Sequence, residues 1–320
     1  AEGVWSDWVT RAITVAPVVE AANPWEAPPM PDNWTYVTGT WDSGYVIKDT
    51  HGNEFVWVPV GAITGGGLQA YDWDMGIPTE GLVYEDIPPE ITNAINITGG
   101  FYVARYEASD NGGKAQSKQG VMPCTRINWA DSKTKAEDMA NAYSWSNVKS
   151  HLLYDKEWGV IVKWFEQSGK NVLDSGEYGN YKNNSYPDSG LVNTGNRSEY
   201  MVKNIYDLAG NASEWTMDFE DYRLTYRLCR GGFWGDSGTS QPVSYRRSIS
   251  PTINGSEFGF RPAFAVLNSV PPVTQNAPAD GATFYKGETV SFNWTATVKG
   301  SGNSVTAIDF KIGTSVGGGN

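Results

Sequence analysis

Short alternating runs set the fold class of this chain. Trp34-Thr35-Tyr36-Val37, Tyr45-Val46-Ile47 and Glu54-Phe55-Val56-Trp57-Val58-Pro59-Val60 follow one another along the sequence. Each is β-branched and aromatic in the way a half-buried strand requires. His51-Gly52-Asn53, between the last two runs, reads as a hairpin turn. Gly100-Phe101-Tyr102-Val103-Ala104-Arg105-Tyr106-Glu107 is a further strand. The chain carries 14 Trp, 17 Tyr and 36 Gly, a mixture that suits short strands and long shaped loops and not helical bundles. It also suits recognition surfaces, where rigid rings give contact area at low entropic cost.

Two helices interrupt the strands. Asn128-Trp129-Ala130-Asp131-Ser132 through Tyr143 is predicted to be one, with Ala130, Ala136, Met139, Ala140 and Tyr143 on one face. Residues 154–168 form the second, with Trp158, Ile161, Val162, Trp164 and Phe165 apolar and Gly169 as its stop. Residues 61–98 read as loop, with Gly65-Gly66-Gly67 and Pro88-Pro89 inside them. Residues 169–203 are a Gly/Asn/Ser/Tyr loop long enough to be functional or shaped by bound ions. The domain reading is an N-terminal proline-rich arm over 1–35, a main domain over 36–268, a linker over 269–276 and a β module over 277–320. In that last part Glu288-Thr289-Val290-Ser291-Phe292-Asn293-Trp294-Thr295 alternates and Ile308-Asp309-Phe310-Lys311-Ile312 is one more strand. It resembles the start of an immunoglobulin-like or fibronectin-type sandwich, though it is too short for a full seven-strand module.

Composition excludes some partners. A formal charge of −12 with no basic stripe argues against nucleic acid. No stretch approaches the ~20 apolar residues that span a bilayer. Cys124 and Cys229 have no metal-type spacing, and a disulfide or two free thiols both fit them. The two histidines, His51 and His151, are too few for a three-His metal site.

Four blocks carry a family resemblance. Gly99-Gly100-Phe101-Tyr102-Val103-Ala104-Arg105-Tyr106-Glu107 resembles the entry strand of the formylglycine-generating-enzyme-like (sulfatase-modifying factor) family. Asn128-Trp129-Ala130-Asp131-Ser132 is similar to the family's first helix. The block from Asn204 to Thr216, NIYDLAGNASEWT, is close to its most diagnostic motif. Arg230-Gly231-Gly232-Phe233-Trp234 with Gly259-Phe260-Arg261 is similar to its closing pair. The resemblance runs over roughly residues 35–267. It implies an α+β, C-type-lectin-like domain, here followed by the partial immunoglobulin-like module.

The resemblance also frames the chemistry. Copper-dependent formylglycine generation needs two cysteines between the RGG and GFR blocks, because thiolates bind Cu(I). None stands between Arg230 and Arg261, so no copper is expected. The related iron enzymes need three histidines, and the chain has 2. The expectation is therefore a protein that is not an enzyme. The polar segment between the two blocks has the composition of a binding surface, with Trp234, Asp236, Ser237, Tyr245, Arg246, Arg247 and Asn254 as its candidate ligand-binding residues. The alternative is that it is a polar surface loop and no more. Calcium is the cation implied at Asp207, Gly210, Ala212 and Glu214, as two carboxylates and two carbonyls. The alternative is that Asp207 and Glu214 are satisfied by backbone N–H groups and by Arg230 or Arg261. Similar non-catalytic proteins, including the variable proteins of diversity-generating retroelements, imply a receptor-binding or adhesion protein on a virion (phage tail or fibre) or a bacterial surface, with a host receptor, glycan or protein as ligand. A structural fibre, filament or capsid-decoration subunit, assembling as a homo-oligomer or with virion neighbours, is the alternative. An enzyme with an unrecognised site is the third.

Overall fold

The computed structural model describes residues 27–68, 82–184, 188, 190–220 and 225–267, with the backbone of two further strands, Val273–Ala277 and Asn293–Ala296. The chain divides into two units, and the larger, Ala21–Asn268, carries the mixed α and β fold described below. Its main sheet has six strands in the order Thr35–Thr38, Val46–Lys48, Glu54–Val58, Phe101–Ala104, Pro262–Val266, Val148–Leu152, and every pairing is antiparallel. The His51–Asn53 turn joins the second and third of these, with Gly52 at φ 85. Phe101–Ala104 and Pro262–Val266 are buried at every position. They are covered on both faces, which is why these strands read as continuous apolar runs.

Trp34 belongs to this core and not to an arm. It is 6% exposed, and its ring meets Phe55, Trp145 and Phe264 at centroid distances of 5.7, 4.9 and 5.2 Å. The arm assigned to 1–35 therefore ends earlier, because a large aromatic followed by Thr35 opens the first strand. Residues 1–26 lie outside the described residues.

The first helix is Trp129–Glu137, capped by the Asn128 side chain, which accepts the Asp131 N–H at 2.9 Å. A short turn, Met139–Ala142, continues it. Ala136, Met139, Ala140 and Tyr143 are buried as expected, but Ala130 is exposed and Ser132 takes the inward place, bonded to the Asn128 carbonyl. The second helix is Asp155–Gln167, and Gly169 at φ 83 ends it in the left-handed conformation. Residues 61–98 hold more structure than a loop. Val60–Thr64 and Pro89–Thr98 are helices and Leu82–Val83 is a strand. Pro89 sits in the first turn, where its missing N–H has no partner to lose, and Gly99 at φ 81 closes the end.

A second sheet lies under the loops. Its order is Arg246–Ile249, Arg227–Arg230, Ser213–Glu220, Phe258–Phe260, with Leu82–Val83 also on the long strand. Ser213–Glu220 pairs parallel with Phe258–Phe260, so the chain between Glu220 and Phe258, which includes Arg227–Arg230 and Arg246–Ile249, must cross over. Beyond the main unit, Val273–Ala277 pairs antiparallel with Asn293–Ala296. Residues 273–276 were expected to be linker. Val273 and Thr274 are strand formers, and their pairing corrects that boundary. The expected strand segments 288–292 and 308–312 lie outside the described residues.

Candidate functional site

The crossover segment is fixed to the framework by buried charge. Asp155, the first residue of the second helix, meets Arg230 Nε at 2.9 Å and Arg246 Nη2 at 3.0 Å, and all three side chains are 0% exposed. Arg230 Nη1 also donates to the Ser244 and Tyr245 carbonyls. Burial alone would raise the Asp155 pKa, but the two guanidinium groups outweigh it and hold the carboxyl below its ordinary range. Asp218 supports the same corner. Its two oxygens accept the N–H groups of Asp155 (2.5 Å) and Glu85 (2.8 Å), while burial pushes its pKa up to about 7.

This geometry corrects one expectation. Arg246 was read as a ligand-binding residue, but the strand turns it inward onto Asp155, and it is as buried as any residue in the core. Alternation along Arg246–Ile249 then puts Arg247 on the opposite face, half-buried, with its guanidinium 5.6 Å over the Phe258 ring. Tyr245, the residue before Arg246, is likewise half-buried. An arginine pair in sequence does not reveal which member is inward; only the register does.

The turn 233–241 is a closed structure. Gly231 (φ 86) and Gly232 (φ 66) are both left-handed, and a Cβ on Gly232 would run into the Gln241 carbonyl. Asp236, which is 9% exposed, braces the turn by accepting the Phe233 N–H at 3.2 Å and the Gln241 side chain at 2.7 Å. Burial raises its pKa, against the Phe233 N–H bond and the charges of Arg247 and Lys182, and with Glu257 adding to the rise. Asp236, Arg247, Lys182 and Glu257 therefore share one electrostatic neighbourhood. Trp234 is half-buried, its N–H bonded to the Asn211 carbonyl and its ring 5.9 Å from Phe233 in a T-shaped contact. Ser237 is half-buried, and its hydroxyl meets Thr239 at 2.6 Å. Asn254 is exposed on the separate 250–257 turn, which the Arg126 and Trp129 N–H groups hold through the Gly255 and Pro251 carbonyls. Sequence reasoning missed Lys182 and Glu257, which no motif marks.

The acidic block folds into a different buried network. Arg261 grips Glu214 through Nε and Nη2, with contacts of 3.1, 3.0 and 2.6 Å, and also donates to the Ala104 and Tyr206 carbonyls. Asp207 Oδ2 accepts the Gly195 N–H and the Thr194 hydroxyl. Glu107, also missed from sequence, accepts the Ala212 N–H at 2.9 Å and the Asn211 amide at 2.5 Å. Burial, and after it the Asp207 charge, raise the pKa of Glu107 well above the carboxylate range. Burial also pushes Asp207 up to about 6, against its bonds from Gly195 and Thr194. Glu214 is raised by burial against the pull of Arg261. Gly210 and Ala212 are buried beside them. Of the Asp207 and Glu214 carboxylates, only Asp207 Oδ1 is left without a hydrogen bond. Among the described residues no group of three or more His, Cys, Asp or Glu is arranged to hold a metal ion. The donor set is therefore a poor fit for calcium, because an arginine already occupies one of its two carboxylates.

The thiols and histidines are dispersed. Cys229 is buried in the second sheet and Cys124 is half-buried, and both are free. His151 is buried against Glu157 at 2.9 Å, whereas His51 is half-exposed in the hairpin turn. Among the described residues no helix is long and apolar enough to cross a membrane.

Comparison with known proteins returned one family and several similar solved structures. Residues 103–266, just over half of the chain, match the sulfatase-modifying factor enzyme 1-like domain. Among solved structures, PvdO from Pseudomonas aeruginosa is 16% identical, with a TM-score of 0.43, over 69% of this chain and 97% of its own. Treponema denticola variable protein 1 is 17% identical, with a TM-score of 0.41, over 73% and 99%. CarF is 15% identical, with a TM-score of 0.42, over 67% and 98%. No curated protein matches the chain. With the four sequence blocks, the second sheet and its crossover all inside or beside the matched span, the chain belongs to the sulfatase-modifying factor enzyme 1-like family.

Proposed function

We propose that the chain is a non-catalytic binding module that presents the turns between Gly232 and Gly259 to a ligand. The observation that carries this reading is the split within one strand. Arg246 is locked onto Asp155 in the core, while its neighbour Arg247 stands on the opposite face of the strand, half-buried over the Phe258 ring. A surface held from beneath in this way can change its outer residues without disturbing the core. The free cysteines support the absence of copper chemistry, since neither lies between Arg230 and Arg261 and Cys229 is sealed from solvent. Display on a virion or bacterial surface, with a host receptor as partner, is part of the proposal and rests on the resemblance to variable proteins. So does the reading of Val273–Ala277 and Asn293–Ala296 as the start of an immunoglobulin-like spacer.

The test is the double variant Tyr245→Ala/Arg247→Ala, compared with the native chain for retention on a panel of intact bacterial cells by flow cytometry. The proposal expects retention by the native chain, its loss in the variant, and melting curves that overlay. Retention undiminished in the variant would move the binding surface elsewhere.

A further inference from the structure

A depression of about 410 Å3 opens where the segment before the first helix meets that helix. Cys124, Thr125, Arg126, Asp131, Thr134 and Lys135 line it. The charged groups in its wall are not equivalent. Lys135 Nζ donates to Asp110 Oδ1 at 2.9 Å and to the Gly113 carbonyl, so its charge is already matched. Asp131 Oδ2 accepts the Asn128 amide at 2.8 Å as part of the helix cap. Arg126 has no carboxylate within ion-pair distance among the described residues, and its side chain is exposed. Its backbone is also left-handed, at φ 55, a conformation that bulky residues rarely adopt, and its N–H bonds the Gly255 carbonyl at 3.1 Å.

We infer that this depression binds a small carboxylate, with Arg126 taking its charge. A guanidinium presents two parallel N–H groups that match the two oxygens of a carboxylate. The hydroxyls of Thr125 and Thr134 offer donors for the rest of a small organic acid, and the volume is in the range of small-molecule sites. Asp131 in the same wall disfavours a doubly charged phosphate, since like charges repel across so short a span. Arg126 adjoins the 250–257 turn through its N–H bond to the Gly255 carbonyl, but Tyr245 and Arg247 line no part of the depression, so the two proposals are tested on different residues.

Cys124 supplies the readout. Cys124 is a half-buried residue of the lining, whereas Cys229 is 0% exposed and serves as a silent control in the same molecule. The full native chain is alkylated with iodoacetamide in the presence of the singly charged acids lactate or acetate, of inorganic phosphate or of glucose, and each site is followed by mass spectrometry. Lactate or acetate is expected to slow Cys124 labelling several-fold and saturably, while phosphate and glucose leave it unchanged. Arg126→Gly removes the guanidinium and suits the left-handed backbone, so it should lose the protection while melting at or above the native temperature. Arg126→Lys should keep part of the protection. The inference is overturned if neither acid protects, if glucose or phosphate protects as well, or if protection persists in Arg126→Gly.

Discussion

Adjacent arginines on one strand should differ sharply in what they contribute. Arg246→Ala leaves Asp155 with Arg230 alone at 2.9 Å, in a place where all three side chains are fully buried. Removing one partner of a buried charge group typically costs ~3–5 kcal/mol, because the remaining charges have no water to turn to. For a domain of this size that corresponds to roughly 6–20 °C in melting temperature. Arg247→Ala, by contrast, removes a half-buried side chain whose guanidinium lies 5.6 Å over the Phe258 ring. Such a contact is worth about 0.5–1 kcal/mol at an exposed site. Equilibrium urea unfolding of the two variants, followed by tryptophan fluorescence, gives both numbers under identical conditions. Equal losses would refute the inward and outward assignment, and so would an Arg246→Ala cost below ~1 kcal/mol, since a buried ion partner cannot be removed so cheaply.

Two further outcomes follow from the buried acids. Asp218 is raised by burial to about 7, above its unfolded value, so the folded state holds a proton that the unfolded state has released, and this group's contribution to stability falls as pH rises toward 7. The stability gap between the native chain and Asp218→Asn should therefore narrow between pH 5 and 8 as pH rises, read by urea unfolding at each pH; a gap that widens would contradict the assignment. Because Arg261 occupies Glu214, a calcium chelator should leave the melting temperature unchanged, and a drop on chelation would show that a cation shares the site.

Much of the framework was readable before any coordinates. The hairpin at His51-Gly52-Asn53 and both main helices follow from local rules, because a turn residue or a cap decides each one. The segment 89–98 was not readable as a helix. Its Pro88-Pro89 start and β-branched content look like loop, and only packing of Ile91, Ala94 and Ile95 into the core settles it. Within the candidate segment, the position of Trp234, Asp236 and Arg247 between two framework blocks is legible from sequence, while a binding role for them rests on the proposal. The role of Arg246 was not legible, because its partner Asp155 lies 91 residues away. Glu107, Asp218, Lys182 and Glu257 escaped for the same reason, since each acquires its role from groups that only tertiary folding brings near.

Binding without catalysis, as proposed for this member of the family, is tested most directly by mass spectrometry of a cysteine-containing sulfatase peptide incubated with the purified full chain, copper and oxygen. With no cysteine between Arg230 and Arg261 and Cys229 sealed in the sheet, the peptide should keep its thiol, at the level of a copper-only control. Conversion of that thiol to formylglycine above the control would contradict the account.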